Sequence, residues 1–569
     1  MSKAKSKNIG FLAVLAVLMI GGIGAGVAIS SKMGKSNSEI SREKAMTLLD
    51  KRLRKISVTE VAPRKATVEI AGNNLAEELP DIEKYPLSVT GRGTINLEIF
   101  SSTEKSSGGT DGWLNEIAEK FNSSHYTVND QWATVSVRPI ASGAAIDYII
   151  SGKHVPEAYS PSNELWGEMV RAENVRAELI EKSLAGNTAG ILVNREKYNE
   201  LKTEYGTVDI SAIVDATVKS KITMGYTNPY ASSTGLNFLV SALEEFDSAD
   251  ILSQQATEQF RKFQQNVPFV AYTTLQMRDA AANGVLDVFL MEAQGYYNAT
   301  ELRDYEYIPF GVRHDSPLYV LGDVSSDQKE LARAFADYCL TDESQKLATK
   351  YGFNRPDDKN YKSAEWDLTG KQLESAQKLW KTEKDSGSPV MAVFVADVSG
   401  SMGGAPLQNL QTSLINASQY INDSNYVGLV SYSTNVAINL PIGKFDLNQR
   451  SYFTGAVQDL SEGGNTATYD AVLVALDMLN KAQEQVQAET GQVVKPLLFV
   501  LSDGETNVGN SLRDIKPVVE GLEVPCYTIG YNANLAALQE LSAINEAASI
   551  NADSEDVIYS LKSLFNAQM

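Results

Sequence analysis

Hydrophobic positions along this chain change their pattern several times, and each change predicts a different element. From Ile9 to Ile29 they are nearly continuous, 21 residues inside the uncharged stretch Asn8–Ser31. An α-helix needs about 20 apolar residues to cross a bilayer, so the pattern predicts a transmembrane helix. Gly22 and Gly26 within it have the G-x-x-x-G spacing that lets two spans pack closely. From Glu39 to Lys55 the chain is highly charged, with Met46, Leu49 and Leu53 spaced as a helical stripe. This predicts a juxtamembrane helix or stalk. Val58 to Thr90 has no period and carries prolines at 63, 80 and 86.

From Thr94 onward the pattern is α/β. Strands are predicted at Ile95–Phe100, Thr134–Arg138, Gly190–Val193, Ile222–Tyr226, Val285–Met291 and Tyr305–Pro309, with helical patterns between them and a last helix over Thr369–Lys384. Asp385-Ser386-Gly387-Ser388-Pro389 is a turn-rich linker. Beyond it, Met391–Ala396 and Leu497–Leu501 are short unbroken apolar runs, as strands buried on both faces should be. The predicted division is 1–31 for a cytoplasmic tip and anchor, 32–91 for a stalk, 92–384 for one α/β domain, 385–389 for the linker and 390–569 for a second domain.

Length and composition agree. A chain of 569 residues is too long for one core, and 43% hydrophobic content is that of a globular protein. A net charge of −21 speaks against nucleic-acid binding, which wants a basic face. Cys339 and Cys526 fall in different predicted domains and make no disulfide framework. Lys3, Lys5 and Lys7 favour a cytoplasmic N-terminus with the bulk of the chain extracellular, although Lys32, Lys35, Arg42 and Lys44 blunt the asymmetry. Ala28 and Ser30 also permit signal cleavage after Ser30; an uncleaved anchor is the reading adopted, because the apolar core is long for a signal peptide.

The candidate chemistry begins where the run Met391–Ala396 ends, in Asp397-Val398-Ser399-Gly400-Ser401. One carboxylate and two hydroxyls stand at alternate positions at a strand end, where open α/β sheets bind ligands. Oxygen donors alone suit a hard cation such as Mg²⁺. A Gly-rich segment follows, Gly463-Gly464-Asn465-Thr466, opening a helix, and the second buried run ends in Ser502-Asp503-Gly504. This series resembles the metal-ion-dependent adhesion site (MIDAS) of von Willebrand factor type A (VWFA) domains. The resemblance implies a doubly wound, mostly parallel sheet, with Asp397, Ser399, Ser401, Thr466 and Asp503 as ligands, directly or through water, to Mg²⁺, or to Mn²⁺ or Ca²⁺ in its place. The loop departs from the family in reading Gly-Gly-Asn-Thr where many members read Gly-Gly-Thr.

In residues 92–384, hydroxyls recur just after predicted strands: Ser101-Ser102, Tyr159-Ser160-Pro161-Ser162-Asn163 and Asn228–Gly235 with Ser232, Ser233 and Thr234. This order resembles the type II extracellular solute-binding proteins of bacterial transporters. The resemblance implies two α/β lobes closing on a small, anionic solute, held by Ser101, Ser102, Ser160, Ser232, Ser233, Thr234 and Glu292, with Tyr296 facing the same cleft. The same hydroxyls are also ordinary helix caps.

His125, His154 and His314 have no ligand spacing, and there is no H-E-x-x-H, G-x-S-x-G or P-loop. The expectation is a bacterial, membrane-anchored cell-surface adhesion or binding protein and not an enzyme, with the metal taking up an acidic group of a protein or peptide ligand. The alternative is a small-solute sensor whose cleft closure regulates the C-terminal domain. A metal-dependent hydrolase is a third reading. A fourth, a type A partner of an intracellular ring ATPase in a metal chelatase, would need the domain on the other side of the membrane.

Overall fold

The computed structural model describes residues 40–68, 75–267, 269–271, 277, 286–355, 360–384, 389–503, 506–531, 536–544, 549–552, 561, 565 and 569. The apolar stretch Ile9–Ile29 lies outside them. Among the described residues no helix is long and apolar enough to cross a membrane. The chain forms two compact units: residues before Asn74 together with those after Lys384 make one, and Asn74–Lys384 the other.

The first unit is built on a seven-stranded sheet in the order Val58–Glu60, Val436–Lys444, Tyr426–Tyr432, Val390–Asp397, Lys495–Ser502, Cys526–Tyr531, Ser549–Ala552. Every neighbouring pair is parallel except Tyr426–Tyr432 with Val436–Lys444. All eight residues of Val390–Asp397 are buried. Its alternate side chains feed two cores. Ala392, Phe394 and Ala396 pack with Leu410, Leu414 and Phe453 on one face, and Met391, Val393 and Val395 with Val472, Leu476 and Val519 on the other.

The segment expected to be a juxtamembrane helix or stalk belongs in part to this unit. The helix Arg42–Leu53 buries Ala45 and Leu49 in the second of those cores. Met46 and Leu53, read as its stripe, are only partly buried there. Val58–Glu60 then adds an edge strand parallel to Val436–Lys444, with Val58 opposite Val436. Beyond it, Arg64 pairs with Asp459 at 2.9 Å, and Ala66 exchanges backbone and side-chain bonds with Ser451 on the helix Leu447–Gln458.

The second unit has two sheets. One holds six strands in the order Thr127–Val128, Gln131–Pro139, Ile95–Ser101, Ala158–Ser160, Leu318–Leu321, Ala177–Glu181; the other holds five, Tyr305–Arg313, Thr188–Asn194, Val288–Glu292, Met224–Thr227, Phe269–Ala271. The chain crosses between them at 182–187 and 314–317. The crossings are tied together, His314 N–H donating to Asn187 O at 3.1 Å and Leu184 N–H to Ser316 O at 3.4 Å. Each predicted strand is present within a few residues. The added ones, such as Ala158–Ser160 and Leu318–Leu321, are two to five residues long and show no usable period.

Candidate functional site

The central strand Val390–Asp397 delivers Asp397 to its carboxyl end, fully buried. Asp397 Oδ1 accepts the Ser399 N–H at 2.8 Å, which folds the following turn back on the carboxylate. Its Oδ2 accepts Ser502 Oγ–H at 2.6 Å and the Tyr432 hydroxyl at 3.3 Å. The turn brings Ser399 Oγ to 3.1 Å from Ser401 Oγ, and Ser401 Oγ donates to Asp503 Oδ1 at 3.0 Å. Asp397, Ser399, Ser401 and Asp503 are thus joined in one bonded series. Thr466 is fastened beside it through its backbone: its N–H donates to Asn507 Oδ1 and its carbonyl accepts Asn507 N–H, both at 2.9 Å. Gly400 N–H donates to Gly464 O at 3.1 Å and Gly463 N–H to Val398 O at 2.8 Å, so the glycine loop lies along the Asp397 turn. The extra residue of Gly-Gly-Asn-Thr is absorbed there: Gly464 has φ +83°, its missing Cβ would lie 2.6 Å from Thr434 Oγ1, and Asn465 N–H donates to that same oxygen at 2.9 Å.

Electrostatics at this cluster favour a cation. Burial, and next the charge of Asp397, push the Asp503 carboxyl above the ordinary aspartate range, with Ser401 acting against them. Burial, and next Asp397, push the Tyr432 phenol far up as well, which keeps it a donor to Asp397. Among the described residues no group of three His, Cys, Asp or Glu gathers here or elsewhere. The donor set is instead two carboxylates and hydroxyls, hard oxygens suited to Mg²⁺, Mn²⁺ or Ca²⁺.

The second cluster lies where the two sheets of the other unit meet. Ser101, Ser102, Ser160, Ser232, Ser233, Thr234 and Glu292 are all buried. Most are engaged by the protein itself. Ser102 Oγ donates to Glu104 Oε1 at 2.6 Å and accepts from Lys105 Nζ. Ser233 Oγ accepts Trp166 Nε1–H at 2.8 Å and donates to Ser142 Oγ at 3.1 Å. Thr234 Oγ1 donates to Glu292 Oε1 at 3.0 Å, and His314 Nδ1 lies 3.1 Å from that oxygen. Ser232 caps its helix through Gly235 N–H. Tyr296 does not join the cluster: its hydroxyl donates to Tyr305 O at 2.9 Å. Lys105 is wholly buried, with Nζ 2.9 Å from Ser160 O and 3.5 Å from Glu104. Among the described residues Ser160 Oγ, Thr227 Oγ1, Asn187 Nδ2 and Ser316 Oγ are buried with no hydrogen-bond partner.

Comparison with known families matches residues 392–567 to the von Willebrand factor type A domain and residues 105–354 to the bacterial extracellular solute-binding proteins. The chain carries a region matching the solute-binding family followed by a region matching the type A family. Inter-alpha-trypsin inhibitor heavy chain H3 of Bos taurus is 28% identical over 156 residues, which are 26% of this chain and 17% of the bovine protein. Heavy chain H4 of Homo sapiens is 26% identical over 182 residues, 30% of this chain and 19% of the human protein. The chain thus spans under a fifth of the length of these relatives. Among solved structures, iron-bound HitA from Pseudomonas aeruginosa is 14% identical, with a TM-score of 0.37 over 52% of this chain and 99% of that one.

In the region matching the solute-binding family, sequence reasoning found the hydroxyls but missed Glu104 and Lys105 and set His314 aside. Burial depresses the Lys105 ammonium, with Glu104 and then Glu292 working against it. Burial also acts to raise Glu104, but the Lys105 charge and the bonds from Ser102 and Ser162 outweigh it and hold it low. Glu292 is raised, by burial first and then by Glu104. A lone Lys in one turn of helix or a lone His after a strand carries no spacing signal, so nothing local could have flagged either. In the type A domain the missed residues are Ser502 and Tyr432, which hold the Asp397 carboxylate from behind.

Proposed function

We propose that this protein is a membrane-anchored extracellular binding protein, not an enzyme, in which Asp397, Ser399, Ser401, Thr466 and Asp503 hold a Mg²⁺-type ion. Bound there, the ion would offer a coordination position to an outside carboxylate from a protein or peptide ligand. The observation that carries this reading is the bonded series from Asp397 through Ser399 and Ser401 to Asp503 at the end of the central strand, which gathers hydroxyl oxygens and two carboxylates in one cluster. Lys3, Lys5 and Lys7 ahead of the apolar stretch support the anchor and the outward orientation. Residues 388–569 carry nineteen Asp and Glu against seven Lys and Arg. A free acidic ligand is therefore repelled over the Debye length, about 8 Å at physiological salt. The ligand surface around the captured carboxylate is accordingly neutral or basic. Pull-down from cell-surface extracts tests this: binding should disappear in EDTA, return with Mg²⁺ or Mn²⁺ and weaken as salt rises. A ligand retained equally in EDTA would end the metal reading.

A second reading, a solute sensor, is favoured by four buried, unpartnered polar atoms, those of Ser160 and Thr227 at strand ends of the two sheets and of Asn187 and Ser316 in the crossings between them. One buried ammonium among Glu104 and Glu292 speaks for a neutral or cationic solute over the anionic one the sequence suggested. A solute panel that leaves the melting temperature of the full chain unmoved would count against it.

A further inference from the structure

The leader helix Arg42–Leu53 does more than cover a core. Its last turn reaches the loop that follows Asp503. Arg52 Nη1 donates to Asn510 Oδ1 at 2.6 Å, and Arg52 Nη2 pairs with Asp514 Oδ1 at 3.0 Å. Asn510 passes the grip on. Its backbone N–H and its side-chain amide both donate to Asp470 Oδ1, at 2.8 and 2.6 Å. Asp470 lies in the first turn of Thr468–Thr490, the helix that Thr466 leads into. Three residues before Asn510, Asn507 clamps both backbone groups of Thr466. The turn between them needs Gly509, which has φ +82° and whose Cβ would lie 2.5 Å from Asp470 Oδ2. Two sets of bonds, Arg52 to Asn510 to Asp470 and Asn507 to Thr466, therefore meet on the one short segment 507–510. They join a segment from the start of the chain to the two later segments of the metal cluster.

We infer that Arg52 is a positioning residue for the metal site. By fixing Asn510 the docked leader holds the segment after Asp503 against Thr466, and loss of that grip loosens the site and lowers its affinity for the ion. The inference rests on the metal reading above. The guanidinium suits the task because its fork spans Asn510 and Asp514 at once, which a lysine ammonium on a flexible stem does not do as rigidly. The opposite end of the same helix supplies a control. Arg42 donates to Asn480 Oδ1 at 2.7 Å and to Leu522 O at 3.4 Å, and neither bond goes to Asp470, Asn507, Asn510 or Thr466.

The test uses the full chain, with Mg²⁺ and Mn²⁺ as probes and calorimetry as the readout, alongside melting temperature in EDTA. Arg52→Gln should weaken metal binding about three- to tenfold. Arg42→Gln should lower the melting temperature to a similar degree with the affinity unchanged. In an Asn510→Ala background the Arg52→Gln substitution should add little further loss, as expected for residues acting in series. Unchanged affinity in Arg52→Gln, or an equal loss in Arg42→Gln, would overturn the positioning role while leaving the metal site intact. No metal binding by the unsubstituted protein would instead overturn the reading on which the role depends.

Discussion

Asp397 is fully buried, and its oxygens already serve three donors. Although it stands at a strand end, it is part of the packed interior and not a surface group. Asp397→Ala removes the charged acceptor of the Ser399 N–H and of the Ser502 and Tyr432 hydroxyls, and a hydrogen bond to a charged group is worth about 1.5–3 kcal/mol. The substituted protein should melt lower in EDTA than the unsubstituted one and gain nothing from added Mg²⁺, whereas the unsubstituted protein should melt higher as Mg²⁺ rises. Thermal denaturation across a Mg²⁺ series checks both parts. Asp503 makes a pH prediction. Its pKa is raised by burial and then by Asp397, so the folded protein holds this proton where an ordinary aspartate, near 3.8, has lost it. In the metal-free protein this group costs stability as pH rises from the ordinary value through the raised one, because the folded state then binds the extra proton. Protons and metal compete for the same oxygens. Mg²⁺ affinity should therefore begin to fall, on acidification, above the pH where free aspartate titrates. Affinity that stays flat down to about pH 4 by calorimetry would refute the shift's role. Asp397, Ser399, Ser401 and Asp503, which the structure bonds together, were legible because they sit at the ends of two unbroken apolar runs, and Thr466 because it closes a Gly-rich loop. Ser502 and Tyr432 were not, since a hydroxyl inside a buried strand looks like any other core position.

The central strands were legible for the same reason: full burial leaves continuous apolar runs in the sequence. The edge strand Val58–Glu60 was not. It has three residues, all exposed, and its pairing partner is remote in sequence. The leader helix was legible as a helix from its stripe, but a stripe does not say what it packs on. The extended segment after the edge strand gives a test of how firmly it is seated. Gly455, in the helix Leu447–Gln458, would place a Cβ 2.0 Å from Arg64 O. In an exposed helix Gly→Ala is worth about 1 kcal/mol of stabilisation. Here the clash is with backbone, which cannot swing aside, and overpacking typically costs about 1–3 kcal/mol. Gly455→Ala should therefore lower the melting temperature of the full chain. In a chain lacking residues 1–67 the clash is gone, and the same substitution should raise it relative to that shortened parent. The same sign in both would mean that the segment is not seated at Gly455.

At the scale of the molecule, the type A domain is discontinuous. The solute-binding domain is inserted between its leader and its central strand, joined by two connections in place of one. Proteolysis within Asp385–Pro389 should accordingly not release an independent C-terminal fragment. Denaturing gels should show the break, yet the two pieces should elute together under native conditions, held by the helix Arg42–Leu53 and the strand Val58–Glu60. Separation without denaturant would show that these contacts are too weak to hold. The discontinuity also governs how the protein is made. Arg52 and Asn510 are 458 residues apart in sequence. At a synthesis rate of about 5–20 residues per second, the leader emerges roughly half a minute or more before its seat exists. The inserted domain can fold in that interval, while the apolar side of the leader has nothing of its own to cover it. Closure over so long a loop is slow relative to local folding. The final docking of the leader is thus the step most exposed to capture by a neighbouring nascent chain, and an early aggregate of this protein should contain folded solute-binding domains joined through exchanged leaders.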